Sequence, residues 1–235
     1  MATTQLVDAI KLTSLAAALL CLTPGVLAEP VSLASVELPP YASEQLPGQG
    51  VTSSIVRAAL NSQGIEVSIG FYPWRRAIAL TQHQAGMKAG FFPAYQCDSG
   101  FIASVELGQS VTGFAQRTDN PIEWQQLTDL KQYRIGLVSG YVNSAEFDRM
   151  VDAGSLQTEP ANYDKNNIQK LLAGRVDAIV VDRFLLEYLF SSDPHFIGKR
   201  SGVQFNSKIL NQRSLYVCFD DSQQGRLLAE KLASG

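Results

Sequence analysis

Few residues of this 235-residue chain are of the types that make or break bonds, and those few are not spaced to cooperate. His83 and His195 stand far apart in polar surroundings, and no Ser-His-Asp or Cys-His pattern accompanies either. Three cysteines and two histidines do not furnish a structural zinc site, and no cofactor motif is seen. The chemistry on offer is that of holding a molecule. Asp182 ends the apolar run 176–181, and Gly140-Tyr141 closes the run 133–138. A third such position follows the run 87–92. In parallel α/β sheets, ligands sit beyond the carboxyl ends of strands, where all three positions fall.

The elements that must place these residues are short apolar strands alternating with amphipathic helices. Strands are expected at 31–36, 65–69, 87–92, 111–116, 133–138, 176–181 and 214–219. Apolar residues at 51, 55, 56, 59 and 60 have the helical period, so 51–62 is expected to be a helix stopped by Gly64. Pro73 suits the first turn of a helix over 74–82. Further helices are expected from a cap at Asn143 or Ser144 to about 151, and over 163–173, 184–190 and 221–232. Alternation of this kind predicts an α/β fold with parallel sheet.

The composition narrows the classes. Apolar residues make up 46% and charged residues 17%, enough to bury a core. The formal charge is -3 and no basic run occurs, which argues against a nucleic-acid partner. Past the N-terminus no apolar run is long enough to span a bilayer. Residues 12–22 form an apolar stretch of eleven, followed by Thr23-Pro24-Gly25 and then Val26-Leu27-Ala28. This pattern predicts an export signal over 1–28, cut after Ala28, and a periplasmic product. The n-region is weak, since Asp8 offsets Lys11, and a buried N-terminal helix is the alternative. Leu20 is too large for lipid attachment at Cys21. Export leaves Cys97 and Cys218 as an even pair in an oxidising compartment, either bridged or as two separate buried thiols.

Four segments, in order, carry a resemblance over the whole mature chain. They are Pro39-Pro40-Tyr41 after an early strand, Tyr72-Pro-Trp-Arg-Arg-Ala77, Arg134-Ile-Gly-Leu-Val-Ser-Gly140, and Leu171-Leu-Ala-Gly-Arg-Val-Asp-Ala-Ile-Val-Val-Asp182. Together they resemble the extracytoplasmic solute-binding proteins of family 3, the polar amino-acid type. The resemblance implies a two-lobe, type II periplasmic-binding-protein-like fold with a ligand cleft between lobes. Lobe 1 would take 29–113 and 205–235, and lobe 2 would take 114–204. Both cysteines would then lie in one lobe, which favours a Cys97–Cys218 disulfide.

Carried over residue by residue, the resemblance makes Asp182 the receiver of a ligand ammonium, which needs charge-assisted partners when desolvated. Asp182 would equally suit the cap of the helix that follows. The family's Gly-Thr-Thr turn reads Gly140-Tyr141-Val142 here, so Tyr141 would form a cleft wall in place of a donated hydroxyl. The family's carboxylate-gripping arginine falls on or near Cys97, and no Arg or Lys lies between Lys88 and Arg117. Arg75 and Arg76 at the helix start are the substitutes considered, Arg76 slightly favoured because adjacent helical residues point about 100° apart. Tyr41, Tyr72, Trp74, Phe91, Phe92, Tyr95 and Tyr141 gather around the expected cleft, where flat rings suit apolar or cationic ligand surface. Glu37 and Glu44 could meet a cation there.

The function implied is capture of a small polar or zwitterionic solute by hinge closure, without catalysis. The chain would act as a monomer and deliver its solute to an ATP-binding-cassette transporter permease. A receptor-coupled sensor, or a degenerate binding domain, would look the same in sequence. An enzyme similar to the cyclohexadienyl dehydratases is the alternative from another class, and would need Asp182, Glu37 or Glu44 as its acid.

Overall fold

The first strand, β1 (Val31–Ser35), is short and ends in three buried residues, so it needs neighbours on both sides. It finds β2 (Val67–Phe71) and β3 (Gly90–Ala94), both parallel to it, in registers that start at Val31↔Val67 and Leu33↔Gly90. The computed structural model describes residues 29–82 and 87–235, so the expected export signal and His83 lie outside the described residues. Helices α1 (Val51–Ser62) and α2 (Trp74–Gln82) connect these strands with the expected bounds. Val56 and Leu60 of α1 are buried, as the helical period demands.

The chain then forms β4 (Phe101–Ala103) and the long β5 (Gly108–Arg117). A second parallel unit follows: β6 (Arg134–Val138), α3 (Ala145–Asp152), β7 (Gln157–Ala161), α4 (Asp164–Leu172), β8 (Ala178–Asp182) and α5 (Arg183–Ser192). It returns through β9 (Val203–Asp220) and ends with α6 (Gln223–Ser234). The strand order is β2-β1-β3-β9-β5-β8-β6-β7, with β4 also on β9. Two α/β halves, each with parallel strands, are thus joined by two antiparallel strands, β5 and β9. Their ladder runs from Gly108↔Leu215 to Arg117↔Val203, with register shifts around Gly113. A ladder interrupted there is easier to bend than a continuous one.

Differences from the sequence-based expectation have physical causes. β3 begins three residues late and includes Pro93, because a register shift between Phe91 and Ala94 absorbs the missing donor. The unexpected β7 pairs with β6 alone, so as an edge strand it tolerates Pro160 and a polar sequence. β9 starts eleven residues before the expected 214. Its first half, rich in Asn, Gln, Ser, Lys and Arg, shows no apolar alternation, and β5 is its one strand partner.

Cys97 and Cys218 form a disulfide with a Cα–Cα distance of 5.4 Å. It ties the loop after β3 to the second half of β9. The main hydrophobic cluster is continuous from Leu33 and Phe92 in the first half to Ile168 and Leu186 in the second. A smaller one around Phe114, Ile135 and Phe147 lies within the second half. Among the described residues, no helix is long and apolar enough to cross a membrane.

Candidate ligand-binding cleft

Asp182 is the last residue of β8, and the run Ala178–Asp182 is wholly buried because β5 and β6 flank it. Its carboxylate is only 3% exposed and is fully engaged. Oδ1 accepts the Leu185 N–H at 2.9 Å, which caps α5. Oδ2 accepts hydroxyl protons from Ser110 of β5 at 2.5 Å and from Tyr41 at 3.1 Å. Tyr41 belongs to the other half, so this carboxylate is hydrogen-bonded across the seam. The cap reading of Asp182 is therefore realised, and the same side chain lies in the seam between the halves. Burial raises its pKa, and the Ser110, Leu185 and Tyr41 donors oppose that rise.

Tyr41 is held by a turn that glycine makes possible. Gly50 has φ +100°, and a Cβ there would lie 2.5 Å from the Tyr41 carbonyl oxygen. With Gly50 in place, that carbonyl accepts from both the N–H and the hydroxyl of Thr52 at the start of α1.

Around Asp182 the seam collects half-buried phenols and a buried second acid. The Tyr95 hydroxyl meets Ser110 Oγ at 2.9 Å, and burial together with Asp182 pushes the Tyr95 phenol up to about 12. Tyr141 donates to Asp164 Oδ2 at 3.3 Å. Asp164, in the first turn of α4, is 4% exposed. Burial first, then the nearby Asp182 charge, raises its pKa to about 7, against the pull of the Tyr141 hydrogen bond.

This has a measurable consequence. A carboxyl whose pKa is higher folded than unfolded holds its proton in the native state while the unfolded chain has released it. Stability therefore falls as pH rises from about 4 to about 7, and then levels. Asp164→Asn is expected to flatten this slope in melting curves taken across that range; an unchanged slope would count against ionisation of Asp164.

The other sequence-selected residues fall in different places. Trp74 stands edge-on to Phe91 at 5.3 Å and to Tyr141 at 6.1 Å, bringing α2, β3 and the loop after β6 together. Phe91 is buried core beneath that wall. Arg75 and Arg76 are both exposed. Arg76 lies 5.7 Å from the Tyr72 ring, and Arg75 packs over Gly140, whose added Cβ would come within 2.8 Å of it. Neither arginine forms an ion pair among the described residues. The Gly140 turn stands ahead of α3, whose cap is Ser144, and the Tyr141 N–H is committed to the Val138 carbonyl at 3.2 Å.

Sequence reasoning missed Arg213. It sits in the polar part of β9 that showed no strand signal, opposite Ser110 in the ladder. Its guanidinium lies 4.6 Å from the Tyr95 ring centre and donates to the Val142 carbonyl at 2.5 Å and to that of Asn143. Its buried Nε has no partner, and burial lowers its pKa. The absence of a cation between Lys88 and Arg117 was the available signal, but only the pairing of β9 with β5 brings position 213 here.

Two spaces flank this cluster. A small chamber of about 30 Å³, room for one or two waters, is lined by Val36, Leu38, Trp74, Tyr95, Tyr141 and Val142. A larger cavity of about 580 Å³ has Glu37, Pro39 and Ser43 of the first half facing Asp164, Leu185 and His195 of the second. Glu37 Oε1 accepts the Glu44 N–H, so these two acids belong to one exposed turn. The described residues contain no group of three or more metal-ligating side chains.

The fold defines the class. It is a type II periplasmic-binding-protein-like α/β fold, matched by many solved structures. Holo ArgBP from T. maritima aligns with a TM-score of 0.68 at 14% identity, covering 87% of this chain and 88% of that one. The substrate-binding protein of an amino acid ABC transporter aligns at 0.66 and 16% identity, covering 86% and 90%. A histidine kinase sensor domain with similarity to periplasmic binding proteins aligns at 0.73 and 14% identity, covering 87% and 89%. No family model matches the chain, and no curated protein matches it.

Proposed function

We propose that this protein is an exported solute-binding protein that takes a small zwitterionic, amino-acid-like solute between its two halves. The observation that carries the reading is the Asp182 carboxylate, buried at the end of a strand in one half and hydrogen-bonded to Tyr41 of the other. A ligand ammonium can replace the Tyr41 and Ser110 hydroxyls with a stronger, charge-assisted contact. Arg213 offers the opposite charge, with an unused donor, where the sequence lacks an arginine after β3.

The halves correspond to lobe 1 at 29–113 and 205–235 and lobe 2 at 114–204. Asp182 is 3% exposed and the chamber beside Tyr95 and Tyr141 is only about 30 Å³, so a ligand reaches the Asp182 carboxylate only when the halves part. The register shifts in β5 and β9 are where such a hinge would bend. Delivery to an ATP-binding-cassette permease and coupling to a receptor use the same closure. The fold occurs both in the substrate-binding protein of an amino acid ABC transporter and in a histidine kinase sensor domain.

The test is a thermal-shift screen of the purified protein against amino acids, small peptides, polyamines and aromatic acids. At least one amino acid is expected to raise the melting temperature in a concentration-dependent way. A flat response to every amino acid would overturn the reading.

A further inference from the structure

Two buried acids share the seam, and among the described residues neither has an ion-pair partner: Asp182 and Asp164. They are not equally served. Asp182 accepts from Ser110, Tyr41 and the Leu185 N–H, a set that can hold a buried negative charge. Asp164 is 4% exposed, and the Tyr141 hydroxyl at 3.3 Å is the one side-chain donor that reaches it among the described residues. A buried carboxyl with so little support keeps its proton. Its cover, however, comes partly from the other half. Asp164 borders the cavity of about 580 Å³ whose facing wall is Glu37, Pro39 and Ser43, and Tyr95 also lies near it. Parting the halves removes that cover and admits water, in which a carboxylate is stable.

We propose that Asp164 is a proton-operated latch on the seam: protonated, it sits neutral between the closed halves, and loss of the proton drives them apart. This regulation rests on the hinge of the reading above and not on the nature of the ligand. The seam is otherwise held by the Tyr41 bond to Asp182, by Trp74 edge-on to Tyr141 at 6.1 Å, and by Arg213 on the Val142 and Asn143 carbonyls. When Asp164 ionises, a second negative charge joins Asp182 in the same dry space, and water is the remedy that opening supplies.

The groups facing Asp164 come from each neighbouring element. Tyr141 stands in the loop after β6, Tyr95 in the loop after β3 and Asp182 at the end of β8. Glu37 faces it across the cavity from the loop after β1. On its own helix, Lys165 turns away to Asp193 at 2.8 Å, which His195 also binds at 2.9 Å. In the closed seam, burial first and then Asp182 raise the Asp164 pKa to about 7. A carboxyl in open water titrates near 4, so closing takes up a proton between about pH 4 and about pH 7. Closure is favoured fully below that window, weakens by up to about tenfold per pH unit across it, and levels above it.

The experiment is small-angle scattering of the purified protein, without added ligand, from about pH 5 to about pH 9. It is paired with acrylamide quenching of Trp74 in a Trp124→Phe background, since Trp74 is 9% exposed at the seam and Trp124 packs on Phe114 within the second half. Radius of gyration and quenching are expected to rise together with pH while far-ultraviolet circular dichroism stays constant. Asp164→Asn is expected to stay compact throughout. Should that variant fail to fold, Tyr141→Phe is expected to move the transition to higher pH, because it loses the donor that favours ionisation and keeps the ring. His195→Gln is expected to leave the transition in place. No transition, a transition unchanged in Asp164→Asn or unmoved by Tyr141→Phe, or one lost in His195→Gln overturns the latch. An amino acid that still raises the melting temperature would then leave the solute-binding reading standing. A transition carried by Asp164 in a protein that answers to no amino acid keeps the latch and sinks that reading.

Discussion

Replacing Cys97 and Cys218 together by alanine is expected to lower the unfolding free energy by about 4–5 kcal/mol. The bridge joins residues 121 apart in sequence, so the oxidised unfolded chain is confined to a loop that includes the whole second half. In the chain-entropy account a loop of this length removes about that much free energy from the unfolded state. In the native state the bridge anchors the loop after β3, and with it Tyr95, against β9, the strand that carries Arg213. The check is denaturant unfolding of the native protein with and without reductant beside the double variant. Reductant is expected to bring the native protein to the variant's midpoint and to leave the variant unchanged. Coincident curves for all samples would mean that the bridge does not form in solution.

Asp182→Ala is expected to have the second large effect, on stability and on binding together. The substitution removes the cap of α5, worth about 1 kcal/mol, and leaves the Tyr41 and Ser110 hydroxyls buried without their acceptor, at about 1–3 kcal/mol each. Some of that loss is recovered as the hydroxyls find other partners, so about 3 kcal/mol is the expected net. Any amino acid that raises the melting temperature of the native protein should give no shift in the variant. Asp182→Asn separates the two effects, since the amide oxygen still caps the helix while the negative charge is gone. Asn is expected to recover most of the stability and none of the ligand response. A full thermal shift in either variant would move the ammonium site elsewhere.

The fold was legible where local and tertiary forces agree. Helix α1 has an apolar face at the helical period and the expected bounds; α2 has Pro73 before it and the expected bounds. β8 is apolar throughout because both of its neighbours bury it. The first half of β9 was illegible for the opposite reason. With β5 as its sole strand partner there, its sequence is set by the seam it crosses and not by a sheet face.

The candidate site divides along the same line. Asp182, Tyr41, Trp74 and Tyr141 were selected from sequence, and the structure brings them into the seam between the halves. Arg75 and Arg76 were selected as the cations of the site and stand exposed at its rim. Arg213 and Asp164 were not selected, because each looks in sequence like an ordinary charge on a polar stretch.

By itself, the sequence determined the α/β alternation and the strand ends, at Asp182 and before Tyr141, that the structure brings to the seam. These depend on periodicity and on residue types counted along the chain. The tertiary structure alone decided which charges lose their water. That follows from how β9 lies against β5 and how the two halves close, contacts between residues about 70 to 140 positions apart.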